Sequence, residues 1–167
     1  MANIISNEKV NTECFSMSNG LTSVFIETFC LAGIENATAD FEKDLLIWFA
    51  QRGDQTIMGL GIVGFDISEI IWDPGNFDNQ KSFVLATIER VFQEKNWGLL
   101  NYTPNKEWLF EKLVLFKKMI EDYTPMHINK EAQFEISEFS EEVKKYDTCE
   151  THKIYKHPHG CVICNSM

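Results

Sequence analysis

The last 19 residues of the chain carry three of its five cysteines, as Cys149-Glu-Thr-His152, then eight residues, then Cys161-Val-Ile-Cys164. This C-x2-H-x8-C-x2-C pattern constrains the fold more than any other feature. Two residues between ligands let a tight turn present both side chains to one ion. Two such turns facing each other supply four soft nitrogen and sulfur donors in a tetrahedron, the arrangement zinc prefers. Gly160, directly before Cys161, suits the positive φ that a knuckle turn often takes. The expected ligands are Cys149, His152, Cys161 and Cys164, with His157 and His159 as alternatives to His152. Protein fills all four positions, whereas catalytic zinc keeps one open for water, so the expected Zn2+ is structural. An odd number of cysteines argues against a disulfide framework. Cys14 and Cys30 read as ordinary small, partly buried residues.

The remainder of the chain reads as mainly helical. Its 167 residues suit one domain with a sizeable core, and 44% hydrophobic against 24% charged residues is the balance of a folded globular protein. Residues 1–20 are polar, Ser/Asn-rich and without period, and are expected as a loose arm. Residues 21–148 are expected as a helical domain, with residues 149–167 forming a zinc-binding tail packed on it. Leu21, Phe25, Phe29 and Ala32 suggest a first helix, which Gly33 weakens; Thr38 or Asp40 is the expected cap of a second, with Phe41, Leu45, Trp48 and Phe49 on one face and a stop near Arg52-Gly53. Val84, Ile88 and Val91 stripe residues 81–95, while Leu109, Leu113, Phe116, Ile120 and Tyr123 stripe residues 104–123, with Thr103-Pro104 as the expected cap and first turn. Phe134 and Ile136 alternate like a short strand, and residues 137–146 read as a short charged helix. The expected fold is thus mainly α, a single domain of about five helices with minor β content and a C-terminal zinc knuckle. The alternative is α+β, should residues 55–63 and 132–136 be extended. The aromatic stripes are expected to be core.

Motifs for chemistry are few. Gly59-Leu-Gly61-Ile-Val-Gly64 matches the dinucleotide fingerprint, but that site needs a preceding strand and a long following helix, and Pro74-Gly75 comes too soon. A close-packing turn between helices is the expectation instead. The carboxylate pairs Asp66/Glu69 and Glu141/Glu142 lack an evident apolar pocket, so acid–base chemistry is not indicated, and His127 reads as a loop or surface histidine. No G-x-S-x-G, P-loop or H-E-x-x-H occurs, so no enzyme is expected.

Charge narrows the partners. Fifteen basic and 25 acidic residues leave a net charge of −10, which repels phosphate backbones and makes direct nucleic-acid binding unexpected. No apolar run reaches the roughly 18–20 residues of a membrane span, and the first twenty residues lack a secretory h-region, so no membrane partner and a cytoplasmic location are expected. Glu131, Glu135, Glu138, Glu141 and Glu142 crowd one segment, either as a solvated face or as an acidic surface for a basic partner.

Several of these residues together resemble a known group. Gly59-Leu-Gly-Ile-Val-Gly-Phe-Asp-Ile, Trp72, Phe77-Asp-Asn-Gln-Lys-Ser-Phe, Trp97 and Leu100-Asn-Tyr-Thr-Pro, with the ending Cys-x-x-His, Tyr155 and His157-Pro-His-Gly-Cys-x-x-Cys-Asn, resemble small bacterial immunity proteins of polymorphic toxin and contact-dependent growth inhibition systems. The match spans roughly residues 40–125 and 149–165; its motifs are aromatic and glycine positions, not catalytic residues. The resemblance implies a cytoplasmic protein that performs no chemistry itself. It would bind a cognate toxin domain, often a nuclease and sometimes one acting on tRNA, and occlude its active site or substrate surface. The glutamates of residues 131–142 are the expected charged part of that interface. Two other functions compatible with the sequence are an adaptor docking through its zinc clip and a metal-dependent hydrolase with one position open to water.

Overall fold

The computed structural model describes residues 3–53, 64–128 and 146–166. Two strands open the chain, β1 (Asn3–Ser6) and β2 (Cys14–Met17), followed by helices α1 (Asn19–Gly33) and α2 (Asp40–Gly53). A two-residue strand, β3 (Phe65–Asp66), leads through a 3-10 turn (Ile67–Glu69) to α3 (Phe77–Phe92) and α4 (Lys106–Asp122), and a short helix, α5 (Val162–Ser166), closes the described chain. The fold is mainly α, with five α-helices and one small sheet among the described residues.

Helix α1 is the centre. Every residue from Phe25 through Gly33 is buried, because α2, α3, α4, α5 and β2 all pack around it. A helix enclosed on all sides needs an apolar circumference, and the sequence Phe-Ile-Glu-Thr-Phe-Cys-Leu-Ala-Gly supplies it with two exceptions, Glu27 and Thr28. Thr28 disposes of its hydroxyl by donating to the Val24 carbonyl at 2.7 Å. Phe29 of α1 packs on Phe49 of α2 with ring centroids 4.4 Å apart, and Phe25 meets Phe116 of α4 edge-on at 5.3 Å. Phe65 of β3 completes the group against Phe49 and Phe116. Each such pair adds about 0.5–1.5 kcal/mol beyond area burial. The stripes Val84/Ile88/Val91 and Leu109/Leu113/Phe116/Ile120/Tyr123 are all buried, as their periodicity predicts.

Gly33, which weakens the helix on propensity alone, is where α2 crosses: a Cβ there would sit 2.5 Å from Leu46 Cδ2. Helix α2 is described to Gly53, where its stop was expected, whereas α1 ends at Gly33 and α3 at Phe92, a few residues before their expected segments run out. The starts differ. Ser18 caps α1, accepting from the Leu21 amide at 3.2 Å. At α2 the Glu42 carboxylate reaches back to the Ala39 amide at 2.8 Å and to the amide and hydroxyl of Thr38. Neither Thr38 nor Asp40 is the capping acceptor. At α4 the cap is Asn105, accepting from the Trp108 amide at 3.1 Å, two residues later than Thr103-Pro104 suggested.

Residues 3–17, expected as part of a loose arm, are instead tied into a sheet. β1 and β2 pair antiparallel, Ile4 opposite Ser16 and Ile5 opposite Phe15, and β3 adds to β1 in parallel, giving the order β2-β1-β3. Ile5, Phe15 and Met17 alternate inward and are buried; this period-two pattern sits in segments too short and polar to stand out as strands. The expected strand at Phe134/Ile136, the charged helix of 137–146 short of Tyr146, and the extended alternative for 55–63 lie outside the described residues.

The turn after Gly64 is built by the carboxylate pair Asp66/Glu69, for which the sequence indicated no acid–base chemistry. Asp66 caps the 3-10 turn through the Ser68 amide at 2.9 Å and accepts from the Ser6 hydroxyl and the Glu8 amide, each at 2.8 Å. Glu69 closes the capping box by accepting from the Asp66 amide. Burial pushes the Asp66 carboxyl up, but the donors from Ser68, Glu8 and Ser6 outweigh it and hold it below its ordinary value. A depressed folded-state pKa contributes stability above the unfolded value, which is lost as pH falls through the folded one. Asp66→Ala is therefore expected to cost about 1–2 kcal/mol at about pH 7, and the gap from wild type to narrow towards about pH 3, read from denaturant melts at both.

Gly64 meets a strand instead of a second helix. A Cβ there would lie 1.7 Å from the Ile4 carbonyl oxygen and 2.5 Å from its amide nitrogen. Neither atom can give way without separating β3 from β1, whereas the clash at Gly33 is with the tip of a leucine. Gly64→Ala is expected to destabilise by roughly 3 kcal/mol and Gly33→Ala by less, both measured by chemical denaturation.

Candidate metal centre

The tail folds as two facing turns. In the first, Cys149 N donates to Ile154 O at 2.8 Å and Lys153 N to Cys149 O at 2.9 Å, with Lys153 at φ 61° closing the turn. In the second, His157 and Gly160 exchange backbone hydrogen bonds at 3.0 and 2.9 Å, and Gly160 takes φ 108°, the positive value its place before Cys161 predicts. α5 then begins, so Cys161 and Cys164 lie one helical turn apart.

These turns bring Cys149, His152, Cys161 and Cys164 together, with one donor atom from each all within 4.8 Å of one another. His152 Nδ1 lies 3.7 Å from Cys149 Sγ, 3.6 Å from Cys161 Sγ and 3.3 Å from Cys164 Sγ, and the sulfurs of Cys149 and Cys164 are 3.7 Å apart. Four soft donors at such separations are positioned to bind a metal ion. His157 and His159 stand outside this group of four; His157 Nδ1 instead accepts from the His159 amide at 3.1 Å.

The two turns repeat one hydrogen-bond scheme. Cys149 accepts from the amides of Thr151 and His152, and Cys161 accepts from those of Ile163 and Cys164, each two and three residues ahead. Amide donors aimed at sulfur favour thiolate, the form that ligates. At Cys149, burial raises the thiol pKa, but the amides of His152 and Thr151 prevail and bring it down to about 6. At Cys161 burial dominates and, with the neighbouring Cys149 charge, pushes the thiol up to about 12; Cys164 is raised for the same two reasons. Three thiolates this close repel one another until a cation joins them, so the cluster favours a bound cation on electrostatic grounds.

The centre sits on the core. α5 packs on α1 and α2, burying Val162 and Ile163, while Ile154 buries from the first turn. Tyr146 donates to Asp44 Oδ1 at 2.9 Å, lies under the Lys43 ammonium, and meets Tyr155 edge-on.

A residue that sequence reading passed over joins centre to core. Glu27, 1% exposed in the middle of α1, accepts Ser166 Oγ on one carboxylate oxygen and Tyr102 Oη on the other, each at 2.5 Å. Burial raises its pKa; the hydroxyls of Ser166 and Tyr102 and the charge of His152 work against that. Its signal in the sequence is a lone acid in a nine-residue run whose other polar member is Thr28. Cys30, one turn further along α1, is buried, with its thiol raised by burial and by the charges of Cys161 and Glu27.

The other candidates have structural roles or are not described. Trp72 donates Nε1–H to Ile67 O at 2.9 Å and packs on Phe77 and Tyr123. His127 Nδ1 accepts from the Thr124 amide in a 3-10 turn (Pro125–His127). Gly64 is followed by β3 and one 3-10 turn, not by the long helix a dinucleotide site requires. Gly59, Gly61 and the glutamates Glu131, Glu135, Glu138, Glu141 and Glu142 lie outside the described residues. No helix among the described residues is long and apolar enough to cross a membrane. No family model, curated protein or solved structure matches the chain.

Removal of the metal is expected to loosen the tail first. Protein purified under reducing conditions should carry about one metal ion per chain by mass spectrometry, and Cys161→Ser should lose it. Chelation should lower stability by on the order of 4 kcal/mol at saturating metal, with proteolysis of residues 146–166 preceding that of the helices. Unchanged stability with the metal removed would assign the tail's folding to its apolar contacts alone.

Proposed function

We propose that this chain is a zinc-stabilised immunity protein of the cytoplasm, which performs no catalysis but binds a cognate toxin domain, a nuclease, and occludes its active site or substrate surface. The observation that carries the metal half is the donor geometry. A tetrahedral zinc with bonds of about 2.3 Å to sulfur and about 2.05 Å to nitrogen sets S···S near 3.8 Å and S···N near 3.6 Å. The cluster's 3.7 Å and 3.3–3.7 Å lie close to both. With all four ligands drawn from protein, the ion serves as a clip and leaves no position for an activated water.

The binding half rests on the resemblance and on charge. The resemblance runs through Trp72, Phe77, Trp97 and the knuckle. A net charge of −10 suits a partner whose own active site is basic because it handles phosphate. Such a partner would be held by a standard-sized interface with a few anchoring residues, and the glutamates of residues 131–142 are the proposed charged part.

The test is neutralisation. The C-terminal domain of the protein encoded just upstream is expressed in a heterologous bacterium with and without this chain. Growth arrest relieved only by this chain is the expected result; arrest that persists in its presence overturns that pairing. In the purified complex, Glu138→Lys with Glu142→Lys should slow association about tenfold and flatten its salt dependence. Unchanged association kinetics would remove that segment from the interface.

A further inference from the structure

We propose that the metal centre is also a thiol redox switch, in which peroxide oxidises Cys164, Cys149 closes a disulfide onto it, and the metal ion and the C-terminal knuckle are released together. This regulation rests on the metal reading above and concerns the same four residues.

Position singles out Cys164. Of the four ligands, Cys149, His152 and Cys161 are buried and Cys164 alone is exposed. Of the thiols outside the cluster, Cys30 is buried, whereas Cys14 in β2, expected to be partly buried, is exposed but stands apart from the sulfurs of the cluster. An oxidant from solvent therefore meets Cys164 as the one exposed sulfur that already has a thiol neighbour. Cys149 and Cys161 both lie within 4.8 Å of it; Cys149, at 3.7 Å, faces it from the opposite turn, whereas Cys161 precedes it on the same turn. A disulfide bond of about 2.05 Å requires the two sulfurs to close by roughly 1.7 Å, within reach of side-chain rotation at a short helix near the chain's end.

The chemistry balances with hydrogen peroxide as the oxidant. The Cys164 thiolate attacks one peroxide oxygen, an S–O bond forms as the O–O bond breaks, hydroxide leaves, and Cys164 becomes a sulfenic acid that keeps the hydrogen of the attacked oxygen. The Cys149 thiolate attacks that sulfur, the S–O bond breaks, and a second hydroxide leaves. Two thiolates give up two electrons and one peroxide is reduced. The ion is left with Cys161 and His152, too few ligands to hold it against water. Ser166, two residues beyond Cys164, leaves Glu27 with the tail, so the change reaches the central helix.

The experiment uses the full chain, reduced and loaded with zinc. Hydrogen peroxide is added stoichiometrically, released zinc is followed with a colorimetric chelator, and disulfides are mapped by non-reducing peptide mass spectrometry. Zinc release with a Cys149–Cys164 disulfide, reversed by dithiothreitol and added zinc, is the expected result. Because Cys164→Ser can lose the metal outright, the decisive variant is Cys164→His, which keeps four ligands and removes the oxidisable pair. It should hold zinc and release it about tenfold more slowly under peroxide. Zinc retained by the wild-type chain, a Cys161–Cys164 disulfide, or equal release from Cys164→His overturns the switch and leaves the metal site standing. Reduced protein that binds no zinc overturns the metal site, and the switch with it.

Discussion

The structure depends on one constraint: α1 is enclosed on every side, so each polar group it carries must find a partner inside the protein. Its last turn shows the consequence. The carbonyls of Leu31 and Ala32 accept from Asn96 Nδ2 at 2.9 Å and from Arg90 Nε at 2.7 Å, side chains sent from the end of α3 and the turn after it. Arg90 also pairs with Glu35 at 2.6 Å. These contacts replace the water an ordinary helix terminus would use. They fix the end of α3 against α1 more firmly than a surface ion pair would.

Glu27 is the sharper case. An ionised carboxylate at this depth would be costly alone, and two hydroxyls, Tyr102 and Ser166, offset that cost. Tyr102 comes from the connector before α4, and Ser166 from the C-terminal helix. One side chain of α1 thereby ties the two halves of the chain to its centre. Ser166 is in place only while α5 is. The first turn of the tail offers Ile154 and the second Val162 and Ile163 as fully buried apolar residues, a modest anchor at about 25 cal/mol per Å² of buried apolar surface. A metal cross-link through four tail residues is the economical remedy for a segment too short to fold on its own contacts.

How legible this was in the sequence follows from where the information lies. Helices α2, α3 and α4 were legible because a 3.6-residue stripe reports directly which face is buried, and the ligand quartet was legible because metal spacing is local. α1 was harder, since a helix buried all round shows little stripe, and Gly33 argues against it until Leu46 is seen pressing on it. The β1–β2 hairpin was hidden because four-residue strands give only two inward positions each, and because β1 also depends on β3, some sixty residues away. Gly64 illustrates the same limit: the sequence marks a tight approach, yet only the fold identifies the Ile4 backbone as its partner. The role of Glu27 was invisible for a related reason, as its two donors lie 75 and 139 residues away. Asp66 and Glu69 show that paired carboxylates are ambiguous, for the spacing that suits a catalytic pair also suits a capping box.

Several of the residues that carry the resemblance to immunity proteins have structural employment. Trp72 and Phe77 fill the core beside Tyr123, Gly64 admits a strand, Tyr102 serves Glu27, and the knuckle residues gather at one point. Such residues specify a scaffold, and a scaffold can be shared while the surface that meets a partner changes. Selection for a different partner would act on exposed positions, where substitution costs little stability, and would leave these positions alone. In the proposed function, the metal centre and the partner surface are under separate constraints. The first must keep α1 covered and Glu27 satisfied whatever the chain binds. The second is free to follow its partner, and its charge is the property most easily adjusted, because acidic residues on a solvated face disturb no packing.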